Sequence, residues 1–409
     1  MYDIIIIGGG AAGFFAAINA AEKNKDLKIA ILERGKDVLQ KVRVSGGGRC
    51  NVTHACFEPA TLINYYPRGK EKLLEPFRKF QPTDTIEWFE NHGVKIKKEA
   101  DGRMFPVSNS SQSIIECFLD ACTNNNIEIL TNARVESIEK QEEEWRVIIG
   151  GERVLATKKL MIATGSDTAI WRLLEKLELN IVPPVPSLFT FNIKDDRIKD
   201  LMGISVEQAT CRIRHSKSGN KSLDNFSSNG AALITHWGLS GPAILKLSAW
   251  AARELNEANY QFEVIVNWLG NTDMEKARQH LHQLITLQPK KNVFANTEFG
   301  LPIRLWKSLC TASGIGEYQK WAETGKKHLI KFTEQLTACT FNVNGKSTFK
   351  EEFVTAGGVD LEEIDFEKFN SKKHPSLFMA GEVLNIDAIT GGFNFQAAWT
   401  GGWLAAQHL

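Results

Sequence analysis

Apolar positions run without interruption through Ile4, Ile5, Ile6 and Ile7. A continuous β-branched run is the pattern of a central strand covered on both faces of a parallel sheet. It leads into Gly8-Gly9-Gly10-Ala11-Ala12-Gly13, beyond which residues 14–21 predict a small-residue helix and residues 27–32 a second strand ending at Glu33. The period turns helical between residues 59 and 107, with helices over 73–80 and 83–91, and Thr83 or Asp84 suits the cap of the second. Residues 102–106 read as an extended turn, 111–124 as an amphipathic helix and 127–130 as a buried strand. Strands over 134–139 and 145–149 form a small antiparallel extension, and residues 159–163 resume the parallel pattern before Thr164-Gly165-Ser166.

Pro183-Pro184-Val185-Pro186 marks an interdomain crossing, because no helix continues through it. Strands over 188–193, 206–213, 231–235 and 262–267 predict a mainly antiparallel insert with helices at about 273–287 and 303–311. The polar stretch 214–225 reads as a hairpin tip rather than a nucleic-acid reader, and the chain returns to its first domain around Phe349. Residues 354–359 form the return segment, 377–383 a short strand ending in glycine and acid, and 395–407 a closing helix. The expected organisation is a discontinuous domain of residues 1–190 and 345–409, with an inserted β-rich domain at 191–344 whose helical portion spans about 270–325.

A chain of 409 residues is too long for one typical core, and its formal charge of +1 supplies no long-range field for nucleic acid or an anionic membrane. Local basic patches remain compatible with it. The longest apolar runs are strand-length and the opening residues are the first strand, so neither a leader nor a membrane span is expected. The seven cysteines show no CxxC pairing and the nine histidines no ligand spacing, which points to a cytoplasmic chain without disulfides or metal. Cys117 and Cys122 read as apolar filling.

Strand, glycine turn, helix, strand and acid in that order make a dinucleotide cradle. Gly8 permits the tight turn, Gly10 the approach of a pyrophosphate, and Gly13 close packing of helix on strand. Free N–H groups at the helix start face the phosphates. A carboxylate at Glu33 accepts from both ribose hydroxyls and repels a 2′-phosphate, so NADP is disfavoured as the resident ligand. Ser45-Gly46-Gly47-Gly48-Arg49-Cys50-Asn51 offers N–H groups and a cation together. Thr164-Gly165 is a second glycine-bearing strand end, and a helix starting beside Gly391-Gly392 presents further N–H groups to negative charge. Contacts spread over both ends and the middle of the chain suit a retained FAD better than an exchanging nicotinamide.

These motifs, together with Leu233-Ile234-Thr235-His236-Trp237-Gly238-Leu239-Ser240-Gly241-Pro242 and Ala380-Gly381-Glu382-Val383 through Trp399, resemble the BaiN/RdsA family of FAD-dependent oxidoreductases. That family is also described as YhiN-like flavoproteins and sometimes labelled aminoacetone oxidase-like. The resemblance spans nearly the whole chain. It implies an α/β fold: a Rossmann-like FAD-binding domain of the two-dinucleotide-binding type, with an inserted β-rich domain and a small helical subdomain. It also implies that Val135 offers backbone contacts to adenine, that Arg49, Cys50 and Asn51 sit in a flavin loop, that Gly381 and Glu382 lie near the ribityl chain, and that Phe393 and Asn394 begin a helix beside the pyrimidine edge. The candidate cofactor contacts are Gly8, Gly10, Ala11, Ala12, Gly13, Glu33, Arg34, Ser45, Gly46, Gly47, Gly48, Arg49, Cys50, Asn51, Val135, Thr164, Gly165, Gly381, Glu382, Asp387, Gly392, Phe393 and Asn394.

The reaction expected is a redox cycle in two halves, with transient NAD(P)H, an amine or another reduced small molecule as donor and an enone, quinone or oxygen as acceptor. His236 is the candidate acid or base, with a turn-holding role as its competitor. Cys50 is the candidate redox thiol if Arg49 favours its thiolate, against a packing role. The alternatives are an amine or aminoacetone-type oxidase, an FAD-dependent RNA-modifying enzyme, against which the near-neutral charge counts, and a noncatalytic flavin redox sensor. The expected partners are a small-molecule substrate and an electron donor or acceptor, with no clear nucleic-acid or membrane partner, in a monomer or homodimer.

Overall fold

The apolar run at the N-terminus forms the strand Tyr2–Ile7, which pairs in parallel with Ile29–Leu32 on one side and Arg153–Ile162 on the other. The computed structural model describes residues 1–214, 221–347 and 354–409. The chain divides into two units, Met1–Val185 with Lys350–Leu409, and Pro186–Phe349.

In the first unit Glu128–Leu130 and Leu377–Met379 extend the parallel sheet at its two sides, in register Leu32↔Leu130 and Met379↔Ile162. Five parallel strands therefore end at one edge, and that edge gathers Gly8, Glu33, Ala163 and Ala380 from segments far apart in sequence. Ligands of open α/β sheets bind outside the carboxyl ends of the strands for this reason. The strand expected at 159–163 is longer than predicted: its first half pairs antiparallel with Glu144–Ile149 (Trp145↔Thr157), and its second half pairs with the first strand (Ile5↔Leu160). Residues 103–106, expected as a turn, form a strand between Thr53–His54 and Ile96–Lys98.

The first helix, Ala11–Lys23, packs against the C-terminal helix, Phe393–Ala406. Gly402 makes the approach possible, since a Cβ there would stand 2.9 Å from the Ala12 carbonyl oxygen. Phe15 lies between the helices, 4.6 Å from the Trp88 ring and 5.2 Å from the Trp399 ring. The proline-rich segment is a strand, Ile181–Ser187, paired with Val354–Val359. Gly357 lets the two approach, because its Cβ would lie 2.6 Å from Pro184 Cα.

In the second unit a seven-stranded sheet runs in the order Cys339–Asn344, Gln261–Asn267, Ser205–Arg214, Ser227–Ile234, Gly238–Ser240, Thr190–Asn192 and Lys346–Ser347. Helices form at Met274–Leu287 and Ile303–Ala312, and also at Pro242–Trp250, Ala252–Glu257 and Lys326–Thr337, outside the helical portion read from the sequence. Of the polar stretch expected as a hairpin tip, residues 215–220 lie outside the described residues, as does Phe349. Among the described residues, no helix is long and apolar enough to cross a membrane, and no group of histidine, cysteine and acidic side chains could hold a metal ion.

Candidate cofactor site

The glycines of the first turn divide into two kinds. A Cβ at Gly8, whose φ is +114°, would stand 2.4 Å from the Ala163 carbonyl oxygen, and one at Gly13 would stand 2.1 Å from the Gly8 carbonyl oxygen. These two positions are closed by backbone. At Gly10 the nearest atom would be 4.0 Å away, so this face is open at the start of the first helix, beside Ala11 and Ala12. Open space and unsatisfied helical N–H groups together suit a phosphate.

Glu33 accepts hydrogen bonds from the Gly9 N–H (3.0 Å) and the Gly35 N–H (2.7 Å). An ionised carboxylate has about four acceptor sites, so two bonds to backbone leave capacity for a ribose diol. Glu33 lines a cavity with Gly8, Arg134, Val135, Thr164 and Ile170. The Thr164 hydroxyl is buried and has no hydrogen-bond partner among the described residues. A buried hydroxyl in that state marks a place for a polar ligand atom. Arg34, also on the cavity wall, is ion-paired with Asp167 at 2.6 Å.

Gly165 (φ +62°) and Gly381 (φ +79°) bring two more strand ends to the same edge. Gly381 stands beside the Ala12 methyl, 3.3 Å from its own would-be Cβ. The next residue, Glu382, pairs with Lys41 and accepts from the Thr355 N–H at 2.8 Å.

The helix Gln40–Gly48 breaks at Ser45, and Gly46, Gly47 and Gly48 follow with φ of +58°, +69° and +82°. A Cβ on Gly47 or Gly48 would meet nothing within 4 Å. Successive left-handed residues with open space beyond them form a concave array of N–H groups of the kind that holds anions. Ser111 fixes its ends: its hydroxyl donates to the Arg43 carbonyl oxygen (2.8 Å) and its N–H to that of Gly48 (2.9 Å).

Arg49 and Cys50 depart from the thiolate expectation. The Arg49 guanidinium pairs with Glu99 at 2.6 Å and lies 4.0 Å over the Phe105 ring. Cys50 is fully buried, and burial pushes its thiol up to about 12. A protonated, enclosed thiol is neither a nucleophile nor an electron carrier at neutral pH, so the geometry favours packing over redox chemistry. Peptide mapping after brief alkylation of the native protein at pH 8 is expected to find Cys50 unlabelled until the protein unfolds; rapid native labelling would contradict this placement.

Asn51 joins the glycine loop to the C-terminal helix. Its amide donates to the carbonyl oxygens of Thr53 (3.0 Å) and Met104 (3.3 Å) and accepts from the Gly392 N–H (3.0 Å). Gly392 caps that helix with φ +92°, where a Cβ would meet the Thr53 carbonyl oxygen at 2.6 Å. Phe393 stacks on Tyr65 (4.3 Å) and His54 (4.6 Å), and its carbonyl accepts from the Tyr66 hydroxyl at 2.6 Å. Asn394 exchanges two hydrogen bonds with the Ala388 backbone (2.9 and 3.0 Å). Asp387 is fully buried against Arg68. The side chains of Asp387, Phe393 and Asn394 are thus committed to protein, and it is backbone N–H groups at this helix start that suit a ligand.

His236 belongs to the second unit, exposed on the turn between Ser227–Ile234 and Gly238–Ser240. Lys41, Arg68, Ser111 and Thr355 shape the first unit's site and were not read from the sequence, because each is a single polar residue whose partner lies far along the chain.

The profile of the HI0933-like protein Rossmann domain matches residues 2–408. The chain belongs to this family. The ribosomal RNA dihydrouridine synthase of Escherichia coli (strain K12) is 28% identical over 417 residues, spanning 100% of this chain and 98% of the relative. The 3-dehydro-bile acid delta(4,6)-reductase of Clostridium scindens is 25% identical over 417 residues, spanning 100% and 98%. A solved 3-ketosteroid-delta4-(5alpha)-dehydrogenase from Rhodococcus jostii RHA1, in complex with 4-androstene-3,17-dione, covers 99% of this chain and 96% of its own at 13% identity with a TM-score of 0.51, a likeness of fold. The Rossmann-type fold expected from the sequence holds, and so does the family that its motifs resembled.

Proposed function

We propose that the chain is an FAD-dependent reductase that adds two hydrogens across a carbon–carbon double bond conjugated to a carbonyl. The observation that carries the cofactor half is the convergence at one sheet edge of the open Gly10 face, the Glu33 carboxylate and the unpartnered Thr164 hydroxyl, with the open glycine array at 46–48 as a further set of N–H groups in the same unit. Bound there, FAD would supply the two-electron chemistry. Gly10, Ala11 and Ala12 would hold the pyrophosphate, Glu33 the ribose, and the N–H groups at 46–48 and at the start of the C-terminal helix negative charge.

The reaction half is supported by two full-length relatives named for saturating one class of bond, in a uridine ring and in a bile-acid ring. A ring carried on RNA is favoured by the distribution of charge. Residues 186–349 hold 20 lysines and arginines against 14 acids, while the rest of the chain holds 29 against 34. The total of +1 hides a basic inserted unit, so the near-neutral charge does not weigh against an RNA substrate.

Extraction of the purified protein is expected to release FAD, with bands near ~375 and ~450 nm. After anaerobic reduction with NADH or NADPH, reoxidation is expected with a uridine-containing RNA or a conjugated enone. A colourless protein that takes up no added FAD would overturn the cofactor assignment, and reoxidation by oxygen alone would replace the reductase with an oxidase. Glu33→Ala is expected to weaken FAD about 10-fold or more, read by equilibrium dialysis, because charge-assisted hydrogen bonds are lost; unchanged affinity would remove Glu33 from the ribose.

A further inference from the structure

The C-terminal helix, Phe393–Ala406, is apolar or glycine at almost every position, so hydrophobic packing sets its rotation and axial position only weakly. Its buried side chains include two polar ones, Gln396 and Thr400, which lie one turn apart on the same face and are both 0% exposed. Burial of an amide costs free energy unless its polar atoms find partners. Both ends of the Gln396 amide are engaged. Its Oε1 accepts from the Thr53 hydroxyl (2.6 Å) and the Thr85 hydroxyl (3.0 Å), and its Nε2 donates to Thr400 Oγ1 (3.1 Å). Thr400 in turn donates to the Phe80 carbonyl oxygen at 2.9 Å.

Several segments of the first unit meet on this one amide. Thr53 continues the chain from the glycine loop and Asn51, Thr85 lies in the helix Pro82–Asn91, and Phe80 precedes that helix. The Trp399 indole N–H adds a bond to the Val52 carbonyl oxygen (2.9 Å), beside the same loop. A satisfied buried network specifies one arrangement of the parts it joins, where apolar contact tolerates several. Here the parts are the glycine loop and the first turn of the C-terminal helix. The first bond of that helix runs from the Gln396 N–H to the Gly392 carbonyl oxygen (3.0 Å), so the N–H groups of Phe393, Asn394 and Phe395 have no acceptor within it. Gln396 closes the turn whose free N–H groups carry partial positive charge, and its side chain sets where that turn stands against residues 46–51.

We propose that Gln396 is a positioning residue that raises the reduction potential of the bound flavin by holding these N–H groups in place. The inference rests on the reading of the first unit as an FAD site. Reduction adds negative charge to a flavin, and donors fixed in advance stabilise that charge without reorganising. A turn free to shift stabilises it less. Loss of the amide therefore makes the flavin harder to reduce.

The test is anaerobic redox titration of the FAD-loaded wild type and variants against a reference dye, read by flavin absorbance. Gln396→Met keeps the side-chain length and leaves the Thr53 and Thr85 hydroxyls without their acceptor. It is expected to shift the equilibrium toward oxidised flavin about 10-fold, which is about 30 mV lower for a two-electron couple. Thr400→Val, which spares both bonds to Oε1, is expected to shift it about 3-fold in the same direction. Val147→Ala, buried in the antiparallel extension, is the control for stability, with a lower melting temperature and a wild-type potential as its expected result. A wild-type potential in flavin-loaded Gln396→Met, or in Thr400→Val where Gln396→Met does not fold, would overturn the proposal, as would an equal fall in Val147→Ala. A wild-type chain that takes up no FAD would instead remove the cofactor reading on which the proposal rests.

Discussion

Gly13→Val is expected to abolish FAD retention and to prevent the first unit from reaching its native fold. The Cβ of any residue there would lie 2.1 Å from the Gly8 carbonyl oxygen and 3.3 Å from Ile6 Cγ2. Backbone oxygen cannot rotate away as a side chain can. Relief would require the helix Ala11–Lys23 to lift from the strand Tyr2–Ile7, pulling Phe14 and Phe15 out of a fully buried position. Loss of such large apolar side chains costs about 3–5 kcal/mol each. Gly10→Ala separates packing from ligand approach. Gly10 has φ −102°, an ordinary extended value, and open space where the methyl would go. That variant is expected to fold with a melting temperature within a few degrees of wild type and to bind FAD weakly. Circular dichroism with flavin absorbance reads both outcomes. Full FAD retention by Gly10→Ala would show that the phosphates do not approach this face.

Arg68→Met should lower stability by about 3–5 kcal/mol, because it leaves the fully buried Asp387 without its cation. For a unit of this size that is a fall of about 10 °C in melting temperature. The bridge Arg68↔Asp387 ties the first unit's helical region to the segment leading into the C-terminal helix, so FAD should dissociate faster as well. Asp387→Asn added to Arg68→Met removes the charge that Arg68 balanced and is expected to recover most of the loss. A double-mutant cycle by thermal melting measures this coupling; a single-variant loss below about 1 kcal/mol would show that water or another group compensates Asp387.

How far each residue could be read depended on where its partner lies. Gly8, Gly10 and Gly13 were legible because their constraints act within a strand–turn–helix unit of a dozen residues. The positions of the parallel strands followed from apolar runs for the same reason, while their order in the sheet came from the structure. Cys50 was not legible: beside an arginine it looks reactive, but its burial and the engagement of Arg49 with Glu99 and Phe105 are settled by a segment 50 residues away. The side chain of Asn394 braces Ala388, a contact that depends on how the 388–394 loop closes and that no local pattern announces. Net charge misled because summation over the chain cancels two units of opposite sign.

The sequence by itself determined a dinucleotide-binding first unit, since the steric needs of a glycine turn between a β-branched strand and a helix are local and leave few other solutions. It also established the family, because ordered motifs run through the whole length. Only the tertiary structure decided which polar groups stay open and which are committed to protein. That Glu33 caps Gly9 and Gly35, that Ser111 and Asn51 anchor the glycine loop, and that Arg68 neutralises Asp387 are results of packing. The physical reason is that burial and partner geometry, which set whether a polar side chain is free to meet a ligand, arise when segments as many as 319 residues apart are brought together.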